Sequence, residues 1–476
     1  MAAPLLEVIK STKQEHILEQ VPELLDQGIS HPIYQQLSQI SIENSLKFFN
    51  YATSNNSTTG TDKEYLPLDS VISTKSLDAL SRRAAVQTGF EFIYGGKVAA
   101  VILSGGQGTR LGFPGPKGMF DKLGLLSKKT IFQLHVEKVI RIRQLSASAV
   151  GGHSLPHIPL YIMTSDLNHK VIVDFFKANN FFGFPEEDII FFEQGLEPCF
   201  TNDGKIIIES PTKLSMAPDG NGGIYQALDR SGCILDMKKR GVEYLHIYGI
   251  DNVLTKSLDP LFLGLAIQRG VKCANKVVWR ANKSEKVGVT AQSDGKMYII
   301  EYSEIPAAMR DAVGSDGKLL FGAANICNHF LTLQFIVDDV LPKLECNYHS
   351  ASKKIPFMDP VSRQTVTPTG NNGVKLEMFI FDVFPLAGKD WLVVEGERED
   401  EFAPVKNEPG NPQDSPDTAL KAISDQGRRW LTAAGVNILG ADQDICEISA
   451  IVSYEGEGLD SLAGSSIALP VYLDKL

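Results

Sequence analysis

The spacing of apolar and polar residues along the chain changes more than once. From Glu7 to about Thr88 helical patterns alternate with polar breaks: Leu5, Ile9, His16, Ile17, Val21, Leu24 and Leu25 fit one stripe, and Ile40, Ile42, Leu46, Phe48 and Phe49 begin another. The polar tract Thr53–Gly60 predicts a loop. From Lys97 onward the pattern becomes strand, loop, helix. Val98–Leu103 is an unbroken aliphatic run, the mark of a strand buried on both faces. A helix from Thr130, a strand at Leu160–Thr164, a helix from Val171 and strands at Ile189–Phe192 and Tyr244–Tyr248 follow. This alternation predicts an α/β sheet with crossover helices. Short apolar runs at Val277–Trp279, Val287–Val289, Tyr298–Tyr302 and Ile326–Phe330 predict a mixed extension, closed by Lys375–Phe384. Trp391–Glu395 reads as a further strand, Glu408–Asp417 as a loop and Thr418–Ala434 as a helix. The predicted domains are a helical part at 1–95, an α/β part at 96–386 and a smaller carboxyl-terminal part at 387–476.

Ligands of such sheets bind beyond the carboxyl ends of the strands. That rule brings together the loop after Leu103, Thr164-Ser165, Glu193-Gln194 and Asp251-Asn252. The loop runs Ser104-Gly-Gly-Gln-Gly-Thr-Arg-Leu-Gly112, and its glycines leave no Cβ to keep an anion from successive backbone N–H groups. Arg110 offers a planar fork to phosphate oxygens and Lys117 a mobile point charge, which together suggest a polyphosphate. A second glycine cluster, Met216–Tyr225, leads into a predicted helix and leaves room for a sugar or base. Gly106, Gly108 and Gly112 give G-x-G-x-x-x-G, which misses the dinucleotide-binding step, and no Walker lysine follows.

Composition narrows the partners. A net charge of -11 over 476 residues disfavours nucleic acid and anionic membrane, which need a basic field. No apolar run approaches the roughly 18 residues of a membrane span, and the amphipathic start does not read as a signal peptide. Six scattered cysteines without a close pair suit buried thiols in a reducing cytoplasm. The histidines show no metal-ligand spacing.

The loop LSGGQGTRLGFPGPKGMFD resembles the L-x-G-G-x-G-T-R-L-G-x-x-x-P-K consensus of eukaryotic UDP-sugar pyrophosphorylases. Collinear pieces resemble the UDP-N-acetylhexosamine branch: Tyr161-Ile-Met-Thr-Ser, Phe191-Phe-Glu-Gln-Gly, Met216-Ala-Pro-Asp-Gly-Asn-Gly-Gly, Tyr248-Gly-Ile-Asp-Asn, Glu301-Tyr-Ser-Glu, Asn325-Ile-Cys-Asn-His-Phe and Arg398 to Asn407. The resemblance implies a Rossmann-like, mixed but mostly parallel sheet of the glycosyltransferase-A-like, sugar-nucleotidyltransferase type. It implies an enzyme that joins UTP to N-acetylglucosamine 1-phosphate, reversibly giving UDP-N-acetylglucosamine and pyrophosphate, with Mg²⁺ or Mn²⁺ as cofactor, as a cytoplasmic monomer or homodimer.

By the same resemblance Arg110, Lys117 and Lys406 act on the phosphates, while Gly105, Gly106, Gly108, Gln194, Gly220 and Asn221 hold the nucleotide. Gly288, Glu301 and Asn325 would contact the sugar, Phe379 and Phe381, alternating on one strand, would wall the acetyl group, and Asp251 would hold the metal. Glu193, Cys327 and Ala450 depart from the family pattern, and the choice between N-acetylglucosamine and N-acetylgalactosamine phosphate is left open. A uridylyltransferase for glucose 1-phosphate and a catalytically silent UDP-sugar sensor are the competing readings.

Overall fold

Six consecutive residues of Val98–Leu103 are fully or nearly buried, as an inner parallel strand requires, and the main sheet is built around them. The computed structural model describes residues 3–55, 63–346 and 348–476. In chain order the sheet strands are β1 (Ile72–Ser73), β2 (Val98–Leu103), β3 (Leu160–Thr164), β4 (Ile189–Glu193), β5 (Tyr244–Gly249), β6 (Cys273–Trp279), β7 (Val289–Ser293), β8 (Lys296–Ile300), β9 (Ala323–Thr332) and β10 (Trp391–Glu395). They line up as β1-β10-β6-β9-β5-β2-β3-β4, and the β7–β8 hairpin joins the edge of β9. Strands β5, β2, β3 and β4 are mutually parallel, as are β6, β10 and β1. Within that row of eight strands only β9 opposes its neighbours, β5 and β6, and the β7–β8 hairpin is antiparallel as well, so the sheet is mixed with a mostly parallel row, as expected.

Helices α1 (Ala79–Tyr94), α2 (Ile131–Ala149) and α3 (Pro260–Arg269) bury their apolar faces with this sheet. Thr130 caps α2 by accepting from Gln133 N at 3.3 Å, and Asp259 caps α3 by accepting from Leu261 N at 2.9 Å, with proline at the first helical position. Between α1 and α3 the backbones touch: a Cβ on Gly89 would stand 2.0 Å from the Pro260 carbonyl, and one on Gly264 would stand 1.8 Å from that of Ala85.

The chain divides into two compact units, both discontinuous: Tyr65–Glu193 with Leu228–Asp339 and Phe384–Leu476, and Met1–Glu64 with Gln194–Ala227 and Val340–Val383. This division cuts across the three consecutive segments expected above. In the sheet unit the carboxyl-terminal stretch, with its helix Pro416–Ala433, is tied to α2 by buried polar contacts. Lys129 Nζ lies 2.6 Å from Glu137 Oε2 and 3.0 Å from Ser449 Oγ. In the other unit, short helices from Ala3 to Asn55 pack with a three-stranded sheet of Phe200–Thr201, Tyr348–Lys353 and Gly373–Met378. Phe48 stacks on Tyr348 with ring centroids 4.3 Å apart, and Gln14 brackets the hairpin at 204–206 through Gly204 O (3.0 Å) and Ile206 N (2.9 Å). The tract expected as a loop at Thr53–Gly60 is helical to Asn55; its positions 56–60 lie outside the described residues. Among the described residues no helix is long and apolar enough to cross a membrane.

Candidate active site

The loop after β2 is a closed hairpin, not an open nest. Gly108 N donates to Gly115 O (2.9 Å) and Lys117 N to Gly106 O (3.2 Å), with Gln107 bridged to Pro116. The N–H of Gly108 is therefore spent on the loop itself, which corrects the expectation that it meets a phosphate. Its glycine is needed for packing, because a Cβ there would stand 2.9 Å from the Phe113 ring. Gly105 and Gly106 differ: their N–H groups donate no hydrogen bond among the described residues, and a Cβ on Gly106 would meet nothing within 4 Å. Buried Asn168, which the sequence did not single out, holds this loop. Its Nδ2 donates to Gly105 O at 3.0 Å, and its Oδ1 accepts from Gln107 Nε2.

The loop aims its two cations differently. Arg110, in the turn Thr109–Leu111, is exposed and makes no ion pair or hydrogen bond among the described residues. Lys117 points its Nζ to within 3.7 Å of Asp251 Oδ2, just past β5, and both side chains are partly exposed. Lys406 joins them because its segment is zipped to the chain after Asp251: Val405 N donates to Asp251 O at 2.9 Å, and Asn252 pairs with Pro404. Burial pushes the Asp251 carboxyl up, but the Lys117 and Lys406 charges outweigh it and hold the group below its usual range. Asp251 thus stays a carboxylate between two lysines.

The predicted sugar residues of the sheet unit meet beside this cluster. Asn325 N donates to Gly288 O at 2.8 Å, and a Cβ on Gly288 would stand 3.2 Å from Glu301 Oε1. Strand β9 bulges here, its register against β6 shifting between Asn275 and Val277, and Cys327 takes a left-handed φ of 53°. Cys327 N donates to Asn325 Oδ1 at 3.2 Å, which turns the Asn325 amide so that Nδ2 is the group left to offer a ligand. Burial, with the Asp251 charge second, pushes the Cys327 thiol up to about 12, so it stays protonated.

The remaining candidates lie in the other unit. Half-buried Gln194 opens a short strand pair, Leu196 opposite Pro218, that carries the second glycine cluster. Gly220 takes φ 87°, and a Cβ there would stand 2.3 Å from Met378 O. Asn221 Oδ1 accepts from Ile380 N at 3.1 Å. Gly220 and Asn221 are thereby fixed against the segment carrying Phe379 and Phe381. Those two rings stack with centroids 5.2 Å apart, but they do not alternate on one strand. The strand ends at Met378, because Asp382 Oδ2 accepts from Phe379 N at 2.8 Å and turns the chain into a 3-10 helix over Ile380–Ala387. Phe381 is buried and Phe379 half-exposed.

The family model described as UTP–glucose-1-phosphate uridylyltransferase matches residues 44–410. The chain belongs to that uridylyltransferase family. Among its relatives, a mouse UDP-N-acetylhexosamine pyrophosphorylase-like protein 1 is 41% identical over 429 residues, covering 86% of this chain and 83% of the relative. A Saccharomyces cerevisiae UDP-N-acetylglucosamine pyrophosphorylase is 40% identical over 379 residues, covering 79% and 78%. The crystal structure of the Trypanosoma brucei uridine diphosphate N-acetylglucosamine pyrophosphorylase, in complex with inhibitor, superposes with a TM-score of 0.82 at 28% identity, covering 96% of this chain and 93% of that one.

Proposed function

We propose that this uridylyltransferase makes UDP-N-acetylglucosamine and pyrophosphate from UTP and N-acetylglucosamine 1-phosphate. The observation that carries the reading is the cluster at the ends of β2 and β5: two lysines flanking an ionised aspartate, beside a glycine loop with open N–H groups. A phosphate oxygen of the sugar phosphate attacks the α-phosphorus of UTP, the bond from that phosphorus to the bridging oxygen breaks, and pyrophosphate leaves. No protein nucleophile is needed, so positioning and charge neutralisation do the work.

Gly105 and Gly106 offer N–H groups to the triphosphate. Arg110 and Lys117 neutralise charge on the departing pyrophosphate, and Lys406 meets the phosphate of the sugar. Gln194 suits the uracil edge, with one carbonyl and one amide group for an imide that has both. Gly220 and Asn221 serve base and ribose, and Phe379 with Phe381 lines the acetyl group. Glu301 accepts sugar hydroxyl protons, and the Nδ2 that Asn325 presents suits the acetamido carbonyl.

Asp251 fits the Mg²⁺ expected for this chemistry, with Mn²⁺ as a substitute. The ion keeps several waters and takes one or two carboxylates together with phosphate oxygens, and among the described residues no cluster of three ligating side chains would enclose it. When bound, Mg²⁺ adds positive charge to the phosphate oxygens. The described cysteines are free thiols, which suits a cytoplasmic enzyme. A second reading takes glucose 1-phosphate as substrate, the sugar phosphate for which the matching uridylyltransferase family is named. Pyrophosphate release with UTP and each sugar 1-phosphate in turn distinguishes the two, and a preference for glucose 1-phosphate would overturn the first.

A further inference from the structure

Lys276 on β6 is wholly buried, an expensive place for an ammonium. Its Nζ bonds Asp259 Oδ2 and lies 2.7 Å from Glu401 Oε1, and Lys256 Nζ approaches the same oxygen at 3.5 Å. Glu401 is 3% exposed, and it begins the stretch that ends at Lys406. The main chain of that stretch is gripped by Asn252: its Nδ2 donates to Glu401 O at 2.7 Å and its Oδ1 accepts from Ala403 N at 2.9 Å. Val253 N then donates to Ala403 O at 3.3 Å and Val405 N to Asp251 O at 2.9 Å. Buried ion pairs are a poor source of stability, and their best-attested use is to fix a register. Here the register in question is that of Lys406 against Asp251.

We propose that Glu401, held by Lys276 and Lys256, and Asn252 form a latch that sets Lys406 beside Asp251, and that both are positioning residues for uridylyl transfer. The inference rests on the role assigned to Lys406 above. A slip of one residue in the 401–406 segment would carry the Lys406 side chain to the opposite side of the chain. The two halves of the latch act on different atoms, Glu401 through its carboxylate and Asn252 through the backbone, so each can be opened alone.

The test uses the full chain with Glu401→Gln and Asn252→Ser, each made alone and in a Lys406→Ala background. Asn252→Ser leaves the buried charges paired, so it keeps the test open if Glu401→Gln does not fold. Two quantities are read: hydrogen exchange of the Val405 amide, and kcat for pyrophosphate release against KM for UTP. Opening the latch should speed Val405 exchange by about tenfold or more and lower kcat about tenfold with KM for UTP little changed. In the Lys406→Ala background the further loss in kcat should be less than about twofold, because the latch acts through that lysine. Unchanged Val405 exchange overturns the latch while leaving the role of Lys406 standing. Losses that multiply in the double variants overturn action through Lys406. Normal turnover in Lys406→Ala alone overturns the role of that lysine and so the functional half of the inference.

Discussion

Lys117→Ala removes the cation nearest Asp251 and, on the proposed mechanism, one of two on the departing pyrophosphate. With Nζ and Oδ2 3.7 Å apart, the pair attracts by about 1 kcal/mol in water and about 4 kcal/mol at the effective dielectric of a protein surface. Both side chains are partly exposed, so the lower figure governs the free protein, and the melting temperature should fall by about 2 °C at most. Turnover is a different matter, because on the proposed mechanism Lys117 faces the charge that develops on the departing pyrophosphate. Losing one preorganised donor there costs about 10²-fold in kcat, or about 2.7 kcal/mol.

The same substitution has a pH signature. Asp251 is held below the usual carboxylate range because the two lysines outweigh its burial. With Lys117 gone the burial is offset less, the carboxyl rises, and protonation begins at higher pH. The acid limb of kcat/KM for UTP, which reports the free protein, should therefore move to higher pH in Lys117→Ala. The assay is steady-state pyrophosphate release between pH 4 and 9, as a function of UTP, for the wild-type chain and the variant. Turnover within about threefold of wild type, or an acid limb that stays in place, would refute the role given to this lysine.

Other consequences follow from the same geometry. Gly106→Ala should fold normally, since its Cβ would enter open space, yet raise KM for UTP; Gly108→Ala should lower the melting temperature through its clash with Phe113, as thermal unfolding would show. Asn325→Asp replaces the offered Nδ2 by an acceptor and should raise KM for N-acetylglucosamine 1-phosphate by about tenfold or more, with a smaller change for UTP. Chelation of divalent cations should abolish pyrophosphate release without moving the melting temperature, and added Mg²⁺ should restore it. Buried His135, His246 and His329 are pushed down by burial to about 3, about 4 and about 3, from an ordinary value of 6.5. The unfolded chain binds these protons first as pH falls, so stability is lost below 6.5; going from pH 7.5 to 5.5 should cost about 1 kcal/mol for each, read as a lower urea midpoint.

The order strand, glycine loop, cations was legible because Val98–Leu103 is unbroken in apolar character and the glycines and cations follow without interruption. Periodicity could not give what depends on long-range pairing. Asp251 and Lys406 come together through the backbone bonds Val405 N to Asp251 O and Val253 N to Ala403 O, for which no local pattern exists. Resemblance named both residues, but not the Asn252 and Glu401 contacts that join them. The Gly108 N–H looked available in the sequence, and only closure of the hairpin on Gly115 shows it used. Phe379 and Phe381 read as strand because Lys375–Phe384 is mostly apolar, and the capping carboxylate of Asp382 decided otherwise. The compact units were hidden for a similar reason, since the chain leaves the sheet after Glu193 and again after Asp339 with no Gly/Ser or charged linker to mark the passage.

Pyrophosphate release from UTP across a panel of sugar 1-phosphates, with Mg²⁺ present, decides which sugar phosphate this chain uridylylates. N-acetylglucosamine 1-phosphate should support release at a kcat/KM well above that for glucose 1-phosphate. Preference for glucose 1-phosphate, or no release with any sugar phosphate, would contradict it.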